Sequence, residues 1–375
     1  MNRKERLMTT LRGGPVDRPA VSFYEINGLD EVAEDADPFN IYSHPSWQPL
    51  ITLARERSDR IVMRHVPFNL AAPDCLAPLR EVRVWEEGDS RFEHTTLHAA
   101  GRDLTQLTRR DKDVNTIWVI EHLLKDTQDL QAYLSLPEQD PACEPDVSGV
   151  LAAEETLGDS GIVMIDTADP ICMAAALFDM STYTVIATQE PALFRRLLDR
   201  FAAQLHPRTA AVAKALPGRL WRIYGPEYAS PPYLRPRLFH DYVSVYDQPM
   251  IAAIQSHGGY ARLHSHGNLR LILAEIAGMG ASGLDPIEPP PQGDMHLCAV
   301  RESVGEQMVL FGNLEASDLE NLEPNEFALK IRRAIEEGRG GRGFVLMASS
   351  CPYGRLLSQR ALRNYELMVE MVEAV

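Results

Sequence analysis

"YARLHSH", residues 260–266, is the stretch on which the fold turns. Aromatic and aliphatic side chains lead into two imidazoles, His264 and His266, and Gly267 follows. If the run is a strand, positions two apart share a face, and both imidazoles point to one side at its C-terminal end. If it is a loop, they are two unrelated polar groups. The rest of the chain decides between these.

Runs of the same kind recur along the sequence. They are "AVSFYEI" (20–26), "RIVMRHV" (60–66), "GIVMID" (161–166), "RLWRIYG" (219–225), 260–266 itself, "GLDPIE" (283–288), "MVLFGN" (308–313) and "GFVLMASS" (343–350). Helical periodicity fills the intervals. Residues 191–216 carry Leu193, Leu197, Leu198 and Phe201 at helical spacing, and "EFALKIRRAIEEG" ends on a glycine stop. Eight strands alternating with helices predict a parallel sheet with right-handed crossovers, closed into a (β/α)8 TIM barrel. A doubly wound open sheet is the alternative. Residues 80–110 depart from the pattern. They alternate with period two and turn at Glu87-Gly88-Asp89, which predicts an antiparallel hairpin or meander inserted after the second strand. The Pro-rich segment 134–149 reads as a surface connection, and nothing divides residues 1–375 into separate domains.

The bulk composition narrows the function classes. At 45% hydrophobic and 24% charged the chain is ordinarily globular. Its 37 Lys and Arg against 53 Asp and Glu give a formal net charge of −16, which disfavours nucleic acid and anionic membrane as partners. The start, "MNRKERLMTTLRGG", reads as an amphipathic helix and lacks the apolar centre of a signal peptide. No run approaches the ~18 apolar residues of a membrane span. Five cysteines, an odd number with no CxxC pair, fit a reducing compartment, so a cytoplasmic location is expected.

In a barrel the chemistry lies at the C-terminal strand ends. Those ends carry Glu25 and Asn27, Asp166, Glu227 and Tyr228, the two histidines, Glu288, Asn313 and Cys351. Zinc takes His nitrogen and Cys sulfur, so His264, His266 and Cys351 form one candidate ligand set. The alternative is that the histidines bond loop carbonyls ahead of a helix capped by Asn268. Glu227 and Glu288, each beside prolines, are either turn residues or groups that bind metal or handle protons. Asp166 is a general acid or base, or a loop anchor. Asp285, inside a strand-like run, needs partners if buried. Tyr24, Phe68, Trp118, Phe178, Tyr228 and Tyr233 are candidate wall residues.

The order of motifs resembles the uroporphyrinogen decarboxylase superfamily. The likeness runs through "RLMTTLRGGPVDRPAV", "GPEYASPPYLRPRLFHDYV", "GGYARLHSHGN", "GASGLDPIEPPPQGDMHLCAVRESVGEQMVLFGNLEASDLENL" and "GGRGFVLMASSCPYG". It implies a (β/α)8 barrel and one of two activities: metal-free decarboxylation of a tetrapyrrole, or zinc-dependent methyl transfer to or from a corrinoid protein. The decarboxylases keep an arginine-bearing stretch after the first strand, where this chain has "YEINGLD" with Glu25, and a late histidine where it has Cys351. The zinc methyltransferases keep His-x-Cys at the fifth strand and Cys at the eighth. His264 and Cys351 match that pattern, and His266 stands in place of its first cysteine. The resemblance therefore implies a methyltransferase with Zn²⁺ on His264, His266 and Cys351. Glu227, Glu288 and Asp166 are its expected catalytic carboxyls, and Glu25, Tyr228 and Asn313 orient the substrate. The substrate is a small-molecule methyl donor or acceptor, and the corrinoid (cobamide) arrives on a partner protein. A tetrapyrrole lyase and a non-catalytic binding barrel are the competing readings.

Overall fold

The computed structural model describes residues 1–32, 35–99 and 101–375. Eight parallel strands form its centre: β1 (Ala20–Ser22), β2 (Arg60–Arg64), β3 (Gly161–Ala168), β4 (Leu220–Tyr224), β5 (Tyr260–His264), β6 (Gly283–Asp285), β7 (Val309–Leu314) and β8 (Phe344–Ala348). Their order around the sheet is β1-β8-β7-β6-β5-β4-β3-β2, each strand beside its sequence neighbour and β8 returning to β1. This is a (β/α)8 barrel. At the seam between β1 and β2, the Asp59 N–H donates to the Val21 carbonyl at 2.7 Å. The fully buried Asp59 carboxylate accepts the Val21 N–H at 2.9 Å, with Arg6 and Arg18 as its counter-ions.

Period two explains the two cores. Ile61, Ile162, Met164, Leu220, Val309, Phe311, Val345 and Met347 fill the barrel interior, and Leu7 and Leu11 of the helix Arg3–Leu11 pack into the same cluster. Alternate residues such as Val62, Val163, Ile223, Leu263 and Leu346 face the helical sheath. The helices Pro191–Ala215 and Pro324–Gly338 lie where their apolar spacing predicts.

The insertion is larger than 80–110. Strands Arg80–Glu87, Ser90–Ala99, Arg102–Asp111 and Ile117–Glu121 form a four-stranded antiparallel sheet, with Gly88 in the left-handed conformation at the first turn; Ala100 lies outside the described residues. The fourth strand, "IWVIE", is apolar up to Glu121 and exposed on both faces, so no alternation marks it in the sequence. Within the Pro-rich segment, Cys143–Pro145 pairs with Phe68–Leu70. The first strand is shorter than 20–26. It ends at Ser22, and Tyr24–Glu31 winds into a 3₁₀ helix that Tyr24 enters at φ +50°. No helix among the described residues is long and apolar enough to cross a membrane.

Candidate active site at the barrel mouth

The interior turns polar toward the C-terminal strand ends. Asp166, Arg222, Arg262, His264 and Asp285 occupy inward positions of β3 to β6, where the same alternation lower in the barrel places Met164, Leu220 and Tyr260. Register brings them side by side: Arg222 is level with Asp166 and Arg262, and His264 with Asp285. Arg222 clamps Asp166 through two bonds, Nε to Oδ1 at 2.5 Å and Nη2 to Oδ2 at 2.9 Å, and also bonds the Tyr24 hydroxyl. Burial disfavours the Arg222 charge, but the Asp166 bonds and the surrounding negative field raise its pKa overall. Arg262, 1% exposed, stands over the Phe311 ring with its Nε 3.0 Å from Asp285 Oδ1, at too poor an angle for a hydrogen bond. Burial lowers its pKa. Gly283 leaves room for Phe311 there, since a Cβ would meet the ring at 2.8 Å.

Each histidine has its own carboxylate. His264 Nδ1 lies 2.8 Å from Asp285 Oδ2, and His266 Nδ1 lies 2.8 Å from Glu288 Oε1. The Gly267 N–H fixes the other Glu288 oxygen at 2.7 Å. The two rings meet edge to face with centroids 4.6 Å apart. His264 Nε2 faces the Tyr24 hydroxyl at 3.5 Å. Burial opposes charge on His266, yet Glu288 outweighs it and raises the imidazole pKa; the reciprocal pull lowers that of Glu288 against its own burial. Asp285, fully buried, is likewise held low against burial by Arg262 and His264.

Cys351 has a different setting. Its thiol donates to Glu25 Oε2 at 3.1 Å, with the Tyr42 hydroxyl 4.0 Å away and itself bonded by Asn115. Burial and the Glu25 charge push the thiol pKa well up, so the sulfur is protonated. Zinc can be tested against these groups. The imidazoles fit its chemistry, because a carboxylate on Nδ1 leaves Nε2 as the ligating nitrogen. The thiol fits only once it loses its proton, and among the described residues no three His, Cys, Asp or Glu side chains are grouped to hold a metal ion.

Asp166 is occupied on both oxygens by Arg222, with the exposed His65 a further 3.6 Å neighbour. Glu227, on the turn Pro226–Ala229, has a buried Oε2 without a partner. Its charge acts on two fully buried carboxyls, Asp169 and Asp247, whose pKa values burial pushes well up. Tyr228 is half-buried against the Tyr183 ring, and burial pushes its phenol up to about 12. Asn313 lines a cavity between Pro289, Pro290 and the helix Pro324–Gly338, on the sheath side of β7.

Four participants are not among the residues expected from the sequence: Arg222, Arg262, Tyr42 and Glu315. Glu315, 5% exposed, follows β7, with Oε2 3.5 Å from the Ser349 hydroxyl and Oε1 unpartnered. Burial, then the charge of Glu288, pushes its carboxyl up to about 7. Period-two counting through β4 and β5 would have found the two arginines as inward residues.

Comparison with known proteins agrees with this architecture. The family model for uroporphyrinogen decarboxylase (URO-D) matches residues 116–375. No curated relative matches the sequence. Among solved structures, a methyltransferase from Methanosarcina mazei superposes with a TM-score of 0.61 at 17% identity, covering 100% of this chain and 99% of that one. A broad-specificity endoglucanase from Bacteroides salanitronis, at 12% identity, covers 64% of this chain and 78% of its own with a TM-score of 0.31.

Proposed function

Because the chain belongs to the uroporphyrinogen decarboxylase family, we propose that it is a methyltransferase using zinc held by His264, His266 and Cys351. It moves a methyl group between a small-molecule substrate and a corrinoid carried by a partner protein. The observation that carries this reading is the histidine pair, each imidazole anchored at Nδ1 by its own carboxylate and the two rings 4.6 Å apart. An imidazole anchored at Nδ1 by a carboxylate is the usual form of a histidine metal ligand. The whole-chain likeness to a methyltransferase fold is in keeping with it.

A second observation weighs against a tetrapyrrole substrate. The arginines inside the barrel, Arg222 and Arg262, face Asp166 and Asp285, so their charge is already balanced. Glu25 at the mouth adds a carboxylate where a substrate with many carboxylates needs cations.

Zinc, when bound, would supply the Lewis acidity that lowers the pKa of a substrate thiol or polarises a substrate oxygen. The chain's own residues do the rest. Asp285 and Glu288 fix the tautomers and directions of His264 and His266. Glu25 Oε2 is placed to take the proton of the Cys351 thiol, which must leave before sulfur can bind metal. Glu315 is the carboxyl suited to exchange a proton at neutral pH, because its pKa lies near 7 while Asp166 is held by Arg222. Glu227 and Tyr228 border the substrate space.

The test is metal content of tag-free protein, followed by methyl transfer with a cob(I)amide-loaded corrinoid protein. About one zinc per chain, lost in both His264→Ala and Cys351→Ala, supports the reading. Metal-free protein that converts uroporphyrinogen overturns it. Zinc retained without any methyl transfer favours a binding barrel.

A further inference from the structure

The inserted sheet has two free edges, and they differ in kind. Among the described residues its strands run in the order Arg80–Glu87, Ser90–Ala99, Arg102–Asp111, Ile117–Glu121, so the first and last are paired on one side only. The outer side of such a strand presents N–H and C=O groups that can template another strand. The first strand carries Arg80, Glu81, Arg83, Glu86 and Glu87, and its exposed Val82 and Val84 flank Arg83. Charge on an edge discourages pairing. The last strand has no such protection. Ile117, Trp118, Val119 and Ile120 follow one another, 37–62% exposed, and its one charge is Glu121 at the end.

The apolar area continues beyond the strand. The residues leading into it pair with the loop after Cys351. Val114 bridges Gly354, the Asn115 N–H donates to the Tyr353 carbonyl at 2.8 Å, and the Arg355 N–H donates to the Asp113 carbonyl at 2.7 Å. Tyr353 and Leu356 on that loop are 60% and 72% exposed. A stable dimer buries ~800 Å² per partner, more than a five-residue edge supplies, and these two side chains enlarge the uncharged surface toward that size.

The complement that fits this edge is the edge itself. Antiparallel pairing about a twofold axis through Val119 uses every residue of the strand. Val119 meets its own copy, Trp118 lies opposite Ile120, and Ile117 lies opposite Glu121. The first two are apolar pairs of the kind that stabilise sheets, and no like charges meet. The two Glu121 residues stay ~13 Å apart along the ladder. The chain carries a formal net charge of −16, so two copies repel except where both are uncharged. A twofold contact of this kind closes at two copies.

We infer that Ile117–Glu121 is the interface with a second copy of this chain, joined edge to edge into one continuous antiparallel sheet. The interface goes beyond the proposed methyl transfer and depends on neither zinc nor the histidine pair.

Sedimentation velocity of the full-length protein over a range of concentrations tests this. A reversible dimer is expected. Val119→Lys sets two ammonium groups face to face at the axis and should raise the dissociation constant roughly tenfold or more, as should Val119→Glu. Mixing these two variants should restore a dimer with one copy of each. Val84→Lys, on the opposite edge, should leave the dimer intact. A native monomer throughout, including one that takes up a different protein on this strand, overturns the inference. So does a dimer that survives Val119→Lys, or a failure of the two folded variants to pair. If a variant does not fold, amide hydrogen exchange of the native chain decides: protection of Ile117–Glu121 should rise with protein concentration, and constant protection overturns the interface.

Discussion

His264 and Asp285 stand level on neighbouring parallel strands, with Nδ1 2.8 Å from Oδ2, and Asp285 is fully buried. One carboxylate thus orients a candidate ligand and also neutralises Arg262 on the strand before it. Stability and site geometry meet in this one side chain.

Asp285→Ala should therefore be costly. It leaves the Arg262 guanidinium buried with no counter-ion, a loss of about 3–5 kcal/mol. Asp285→Asn keeps an acceptor for His264 Nδ1 and should lose less. Guanidinium-induced unfolding, with the slope unchanged and the midpoint shifted, measures both.

Asp166 and Arg222 should behave as a unit. Asp166→Asn and Arg222→Met each break a bidentate buried pair, while the double variant removes both charges together. A double-mutant cycle is expected to return a coupling of about 2 kcal/mol or more. Additive losses would mean that the pair contributes nothing as a pair.

Glu288 acts on His266 from the second layer. If zinc binds at His266, Glu288→Gln should lower zinc affinity by about 10- to 100-fold without abolishing it. Competition with a chromophoric chelator reads this directly. An unchanged affinity would place His266 outside the coordination sphere.

Glu315 gives a pH signature. Its carboxyl is raised from an ordinary 4.5 to about 7 by burial, so the folded state holds the proton more tightly than the unfolded one. Stability from this group is complete below about pH 4.5 and is lost as pH rises through 7. Glu315→Gln removes that loss. The variant should melt higher than the native protein at pH 8 and show no such gain at pH 5, as followed by thermal unfolding across the pH range.

The strands were legible because period two is a local property, and each barrel strand needs one face for the interior and one for the sheath. The same rule put His264 on the inner face at the end of β5, but the strand stops there and His266 lies beyond it, held by Glu288 and not by strand alternation. Boundaries were less legible. Nothing in "AVSFYEI" marks the turn at Tyr24, and the exposed strand Ile117–Glu121 has no buried face to impose alternation.

By itself, then, the sequence determined the barrel and a polar mouth at its C-terminal strand ends, both of which follow from residue type and spacing. Only the tertiary structure decided what each group touches. It brought Cys351 to Glu25 across 326 positions, gave Asp285 and Glu288 to the two histidines, and bound Asp166 to Arg222. Such pairings depend on strand register and loop path, and the charge state of each group depends on burial, which no local pattern encodes.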